Sequence, residues 1–197
     1  MIFKFFAPCL LLFGASACFA AEAVPAPAAV PDTVKMPVKP RTLVVFYSRT
    51  GHTRKVTEDL ALLLGADVEE LIDKKARAGM SGYLGAGKDA LGEKLTELGP
   101  LKFNPADYEL VVIGTPVWSW NMTPAVRTYL SAHKAVFGTV AFFTLSGKTA
   151  PDKIVKKMEV LTGKTARAFA GFVDADLKDQ NRAVYEGKIR AFADKLK

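Results

Sequence analysis

Two stretches of this chain carry residues whose types and spacing could do chemistry. The first is Tyr47-Ser48-Arg49-Thr50-Gly51-His52-Thr53. It follows the apolar, β-favouring run Leu43-Val44-Val45-Phe46 and precedes Val56, Leu60, Leu63 and Leu64, an apolar stripe at helical spacing. The order is therefore strand, hydroxyl-rich turn, helix. A helix N-terminus leaves backbone N–H groups without helical partners and carries roughly half a positive charge. Ser48, Thr50 and Thr53 add hydroxyl donors at that point, and Gly51 lets backbone approach a ligand. The chemistry that fits is phosphate binding. The same residue types also cap an ordinary strand–helix turn, and the stretch alone leaves both readings open. It is neither a Gly-x-Gly-x-x-Gly fingerprint nor a Gly-Lys-Ser/Thr phosphate loop.

The second stretch is Gly114-Thr115-Pro116-Val117-Trp118-Ser119-Trp120-Asn121-Met122-Thr123-Pro124. It places two tryptophans in a loop rather than on a periodic, inward-facing position. A large aromatic plane at the edge of a site suits stacking on a flat heterocycle, and one of the two rings is expected to fill the gap between loop and sheet instead. A third loop, Thr144-Leu145-Ser146-Gly147-Lys148-Thr149, offers N–H donors and a glycine, and by itself reads as an ordinary turn. His52 is expected to contribute a backbone N–H, and His133 to be a solvated helix residue. No carboxylate pair or Ser-His-Asp arrangement stands out.

The elements that must position these loops alternate along the chain. Strands are expected over Thr42–Tyr47, Asp67–Ile72, Leu110–Gly114, Val140–Leu145 and Ala168–Val173. The first helix ends at Gly65, a C-cap. Lys74–Leu98, with Gly79, Gly82, Gly85, Gly87 and Gly92, reads as an irregular glycine-rich start followed by a helix from about Lys88. Thr123-Pro124 and Pro151 each open a helix with proline in its first turn. Tyr185, Ile189, Phe192 and Leu196 stripe the last one. Five strands separated by helices imply a parallel sheet covered on both faces. Ligands bind such sheets beyond the carboxyl ends of the strands, at the switch in strand order. That rule selects the same three loops.

The remaining 40 residues have another character. Met1 to about Ala21 carries Lys4, a short apolar run from Phe5 to Phe13 and small residues up to Ala20-Ala21. It reads as a secretory signal peptide and is too short for a membrane span. Ala15-Ser16-Ala17-Cys18 is an incomplete version of the box before a lipidated cysteine, so a lipoprotein anchored through Cys18 is the alternative. Glu22 to Pro40, with Pro25, Pro27, Pro31, Pro37 and Pro40, reads as an Ala/Pro-rich linker. The folded domain then occupies residues 41–197. Cys9 and Cys18 are the only cysteines, so cleavage near Ala20–Ala21 leaves a chain without thiol chemistry or disulfides. Removing residues 1–20 takes one lysine from 27 basic residues and leaves 26 against 20 acidic ones, a net charge of +6. That balance suits an acidic partner or an anionic membrane face, or serves solubility alone. The basic residues are dispersed without interleaved aromatics, which argues against nucleic acid.

The Ser48–Thr53 turn resembles the phosphate loop of flavodoxins, a Ser/Thr-x-Thr-Gly-x-Thr pattern. Gly114-Thr115-Pro116-Val117-Trp118, followed by Pro124-Ala125-Val126, is similar to the second flavin loop of small flavodoxin-family proteins. The resemblance covers roughly Thr42 to Lys197. It implies an α/β three-layer sandwich with a five-stranded parallel sheet in the order 2-1-3-4-5, and FMN as cofactor. It implies that Ser48, Arg49, Thr50, Gly51, His52 and Thr53 surround the phosphate. Thr115, Pro116, Val117, Trp118 and Ser119 would border the isoalloxazine, with Trp118 stacking on it, and Ser146, Gly147 and Lys148 would close the other side.

The chain departs from that family in three respects. The third loop is short and lacks extra glycines, the domain is basic where flavodoxins are strongly acidic, and a signal peptide precedes it. The function implied is FMN-dependent electron transfer in the periplasm. The partner would be a redox protein or a small-molecule acceptor, acidic or membrane-associated. The alternatives are an FMN-dependent NAD(P)H:quinone-type reductase and a flavin-free module binding another phosphate ligand.

Overall fold

The computed structural model of the protein describes residues 41–77, 79–148 and 150–197, and only the backbone at 79–81 and 83. The expected signal peptide and linker, residues 1–21 and 22–40, lie outside the described residues.

Strand β1 (Thr42–Phe46) is buried along its whole length. It lies between β2 (Asp67–Glu70) and β3 (Leu110–Trp118), parallel to both. Beyond β3 come β5 (Thr139–Ser146) and β6 (Phe169–Val173), also parallel. The spatial order β2-β1-β3-β5-β6 is the flavodoxin-like order, and its reversal falls between β1 and β3. A sixth strand, absent from the sequence expectation, is β4 (Asn121–Met122), which folds back antiparallel on the end of β3.

Alternation along the strands divides the core into two layers. Leu43, Val45, Val111, Ile113, Val140 and Phe142 face α3 (Pro124–His133) and α4 (Pro151–Thr162). Val44, Val112, Ala141, Phe143 and Leu145 face α1 (His52–Leu64) and α5 (Arg182–Asp194). The result is the expected three-layer sandwich.

Local signals behave as chain chemistry predicts. Gly65 stands in the left-handed region at φ 62° and its N–H bonds to the carbonyl of Ala61, closing α1. Pro124 and Pro151 occupy the first turns of α3 and α4.

The glycine-rich segment departs from expectation. Helix α2 runs from Gly79 to Leu91, so it ends where a helix was expected to begin. Gly82 and Gly87 permit close packing rather than irregular chain, whereas Gly85 has open space where a Cβ would stand. A Cβ on Gly82 would lie 2.5 Å from the backbone of Arg77, and one on Gly87 would lie 2.9 Å from the Ser119 hydroxyl. Tertiary contact outweighs the intrinsic cost of glycine in a helix, about 1 kcal/mol each relative to alanine.

Candidate functional site

The carboxyl end of β1 runs into Ser48, and the chain turns at Gly51 with φ 91° before entering α1. Ser48 Oγ accepts a hydrogen bond from the Gly51 N–H at 3.1 Å. Its own proton stays available to a ligand. No side chain caps α1. The first-turn N–H groups of His52, Thr53 and Arg54 therefore converge on the edge of the sheet without helical partners. Thr53 is buried against the turn, whereas Arg49, Thr50, Gly51 and His52 are exposed. An uncapped positive helix end, a hydroxyl and an exposed glycine backbone form a cradle that fits a phosphate group.

Two charged side chains on this turn are already engaged. Arg54 binds Glu70 with both guanidinium–carboxylate distances below 2.8 Å, at 2.6 and 2.7 Å. His52 Nδ1 lies 3.0 Å from Asp174 Oδ1, just past β6. Asp174 also donates its backbone N–H to the Ser146 carbonyl at 3.2 Å, so the first and third loops meet through it. Asp174 was not among the expected site residues. Its position immediately after the fifth expected strand was the available signal, because the carboxyl-end rule applies to that strand as well.

The second loop proves to be a β-hairpin. Val117 pairs with Met122 and Trp118 with Asn121, and the two turn residues, Ser119 and Trp120, have φ 47° and 57°. This left-handed pair matches the right-handed twist of a hairpin, though Asn-Gly is the usual choice there. Thr115 is fully buried and its hydroxyl accepts from the Thr123 N–H at 3.2 Å, tying β3 to the start of α3. It shapes the loop from within. Pro116, Val117, Trp118 and Ser119 are half-buried.

The two tryptophans point different ways. The Trp118 ring meets Tyr47 edge-on, with centroids 5.5 Å apart, and the Arg49 guanidinium lies 6.0 Å from its centroid. Trp120 projects from the hairpin tip, 74% exposed. Trp118, Ser119 and Val117 border a small cavity of about 210 Å³ whose far wall is α2, at Leu84, Gly87 and Lys88. Burial, then the Asp73 carboxylate, pushes the Tyr47 phenol above its ordinary pKa.

In the third loop Ser146 is buried while Gly147 and Lys148 are exposed. Gly147 has open space where a Cβ would stand and no positive φ, so the backbone there does not demand glycine. Register places Ser146 opposite Val173 and Thr115 opposite Thr144. The three expected loops thus share one edge, and the Arg49–Trp118 and Asp174–Ser146 contacts join them. His133, expected to be solvated, is half-buried at the end of α3: it packs on Tyr129 with ring centroids 4.7 Å apart, and burial lowers its pKa.

No family model matches the chain, and no curated protein matches it. Solved structures do. The flavoprotein of Lactobacillus acidophilus in complex with FMN is 24% identical, with a TM-score of 0.60, across 70% of this chain and 96% of its own. The apo-form of the Lactobacillus acidophilus flavoprotein is 22% identical, with a TM-score of 0.53, across 72% of this chain and 97% of its own. A candidate flavoprotein of Bacteroides eggerthii is 19% identical, with a TM-score of 0.59, across 76% and 98% of the two chains. At these identities the likeness shows the fold.

Proposed function

We propose that this chain is an FMN-binding redox protein that passes electrons outside the cytoplasm. The observation that carries the reading is the meeting of two loops at the switch in strand order. An uncapped α1 N-terminus stands beside a hairpin that holds Trp118, linked to it through Arg49. Ser48, Gly51 and the first-turn N–H groups of α1 would hold the FMN phosphate. Pro116 to Ser119 would border the ring system, and Ser146, Gly147 and Lys148 would lie on its other side. Bound FMN would supply the redox chemistry, and the protein its orientation and electrostatics. The FMN complex of the Lactobacillus flavoprotein, on the same fold, supports this choice of cofactor.

Export rests on the apolar segment and small-residue site near Ala20 and Ala21. The mass of the mature N-terminus tests it: an intact Met1, or a lipid on Cys18, would reject a soluble periplasmic product. The central experiment is the visible absorbance spectrum of purified protein before and after addition of FMN. A saturable flavin spectrum is expected, and a colourless protein that ignores FMN would leave a flavin-free module. Consumption of NAD(P)H by the loaded protein would mark it as a reductase rather than a carrier.

A further inference from the structure

Away from the three loops, α3 and α4 pack side by side and leave a long cleft of about 930 Å³ between them. Its walls follow helix geometry. Arg127 on α3 and Lys134, the residue just past its end, line one wall, and Lys153, Lys157 and Leu161 repeat every four on α4. The remaining lining side chains are Lys156, Val160, Asp152 and, from the turn after α2, Glu93. Five cations thus face two carboxylates across a partly apolar floor. Lys134 and Lys153 have no ion-pair partner among the described residues.

The cleft contains a built element as well as a charge pattern. The Arg127 side chain is only 9% exposed. One guanidinium nitrogen donates to Asn121 Oδ1 at 3.0 Å, and Nε has no hydrogen-bond partner among the described residues. A buried, incompletely satisfied guanidinium is costly unless an anion completes it. Part of that role is filled by Glu93. Its Oε1 stands 3.3 Å from Arg127, 3.6 Å from Lys157 and 3.2 Å from Asn121 Nδ2. Glu93 reaches this position with φ 54°, in the left-handed region, although it is not glycine. Asn121, then Arg127, holds its carboxyl below the usual range.

We infer that the α3–α4 cleft binds an organic polyanion, carboxylate or phosphate groups on an apolar body, and that Glu93 occupies the anion position until the ligand displaces it. The volume suits a ligand of ordinary metabolite size. Lys153 and Lys157 would meet the outer charges, Arg127 the inner one, and Val160 and Leu161 the apolar body. Asn121 is bonded to both Glu93 and Arg127 and pairs with Trp118 across the hairpin. Displacement of Glu93 therefore reaches the hairpin that carries both tryptophans of the chain.

The test is calorimetric titration of the full chain with benzene-1,3,5-tricarboxylate at low ionic strength, with tryptophan emission recorded in parallel. One saturable site and a change in emission are expected. Glu93→Gln should tighten binding about threefold or more, because the competing carboxylate is gone, and Lys153→Gln with Lys157→Gln should weaken it about tenfold. Both lysines are on the surface, so the double variant reports even if Arg127→Gln fails to fold. Weaker or unchanged binding in Glu93→Gln, or indifference to the lysine pair, would overturn the proposal. The inference is independent of the flavin reading. Saturating FMN should leave one tricarboxylate site titratable, its affinity shifted only as far as the shared hairpin couples the two ligands, and abolition of binding by FMN would place the anion in the phosphate turn and sink the separate site.

Discussion

Trp118 meets Tyr47 edge-on, centroids 5.5 Å apart and ring planes at 90°. Tyr47 is buried just past the end of β1, so the pair fixes the end of β3 against the strand that delivers the Ser48–Thr53 turn. Edge-to-face packing leaves a face of the indole for a second ring. Trp118→Ala should weaken FMN binding by about 0.5–1.5 kcal/mol through lost stacking. It should also raise the potential of the bound cofactor, since an aromatic neighbour disfavours added electron density relative to a solvated setting. Fluorescence supplies the check: FMN should quench the wild type strongly and Trp118→Ala much less. Quenching that vanishes in Trp120→Ala instead would move the stacking role to the hairpin tip.

The phosphate turn makes a prediction that separates head group from ring. Ser48→Ala and Thr53→Ala should each weaken FMN more than riboflavin, by about 1.5–3 kcal/mol for a charge-assisted hydrogen bond. Neither variant is a pure probe of the ligand, because the Ser48 hydroxyl also accepts the Gly51 N–H at the turn and Thr53 is almost wholly buried, so the FMN-to-riboflavin difference is what counts. Titration with both flavins measures the difference. Equal losses for the two ligands would remove phosphate from this turn.

Gly114 faces the ring of Phe143, where a Cβ would approach to 2.1 Å. The contact explains a glycine in the middle of a buried strand. Gly114→Ala should cost about 1–3 kcal/mol by overpacking. Phe143→Leu should recover part of that loss in the double variant, read from urea midpoints. Simple additivity would mean that the ring moves aside without cost.

The sandwich was legible because its signals are local. A buried run such as Leu43–Phe46 admits one reading, and prolines at helix starts and Gly65 at a helix end fix boundaries. What escaped the sequence depends on distant partners. Helix α2 brings Gly87 against the Ser119 hydroxyl of the hairpin, an approach that no propensity encodes. The hairpin escaped because Ser119-Trp120 lacks the turn chemistry that usually marks a left-handed pair. The bond from the Thr123 N–H to the Thr115 hydroxyl, eight residues back, has no signal in the sequence either. The His52–Asp174 contact spans the whole fold, so only the carboxyl-end rule could have pointed to it.

His133 should make stability depend on pH. Burial lowers its folded-state pKa, so the native protein holds the imidazole neutral at pH values where the unfolded chain binds a proton. The unfolded state binds more protons, and stability therefore rises with pH through the ordinary histidine range, near ~6.5. Lowering the pH from about 7 to 5 should destabilise the wild type more than His133→Gln. Urea midpoints at the two pH values decide it. Equal pH sensitivity in both proteins would mean that His133 is neutral to this linkage and that the remaining groups account for it.

Trp120 stands at φ 57°, 74% exposed, next to Ser119 at φ 47°. A side chain in the left-handed region costs roughly 1–2 kcal/mol, and glycine escapes that cost. An exposed ring returns little burial in exchange. Trp120→Gly should therefore stabilise the protein by about 1 kcal/mol, despite the greater freedom of glycine in the unfolded chain. The midpoint of urea unfolding would rise with an unchanged slope. Strain retained at a hairpin tip beside the proposed flavin site would fit a functional constraint. The same variant should for that reason lose something at the site, and the electron-transfer rate of the FMN-loaded protein is the place to look. A variant that is less stable than the wild type would show that the exposed ring makes contacts that outweigh its backbone strain. A variant that is more stable and transfers electrons at the wild-type rate would leave the strained tip without a role in electron transfer.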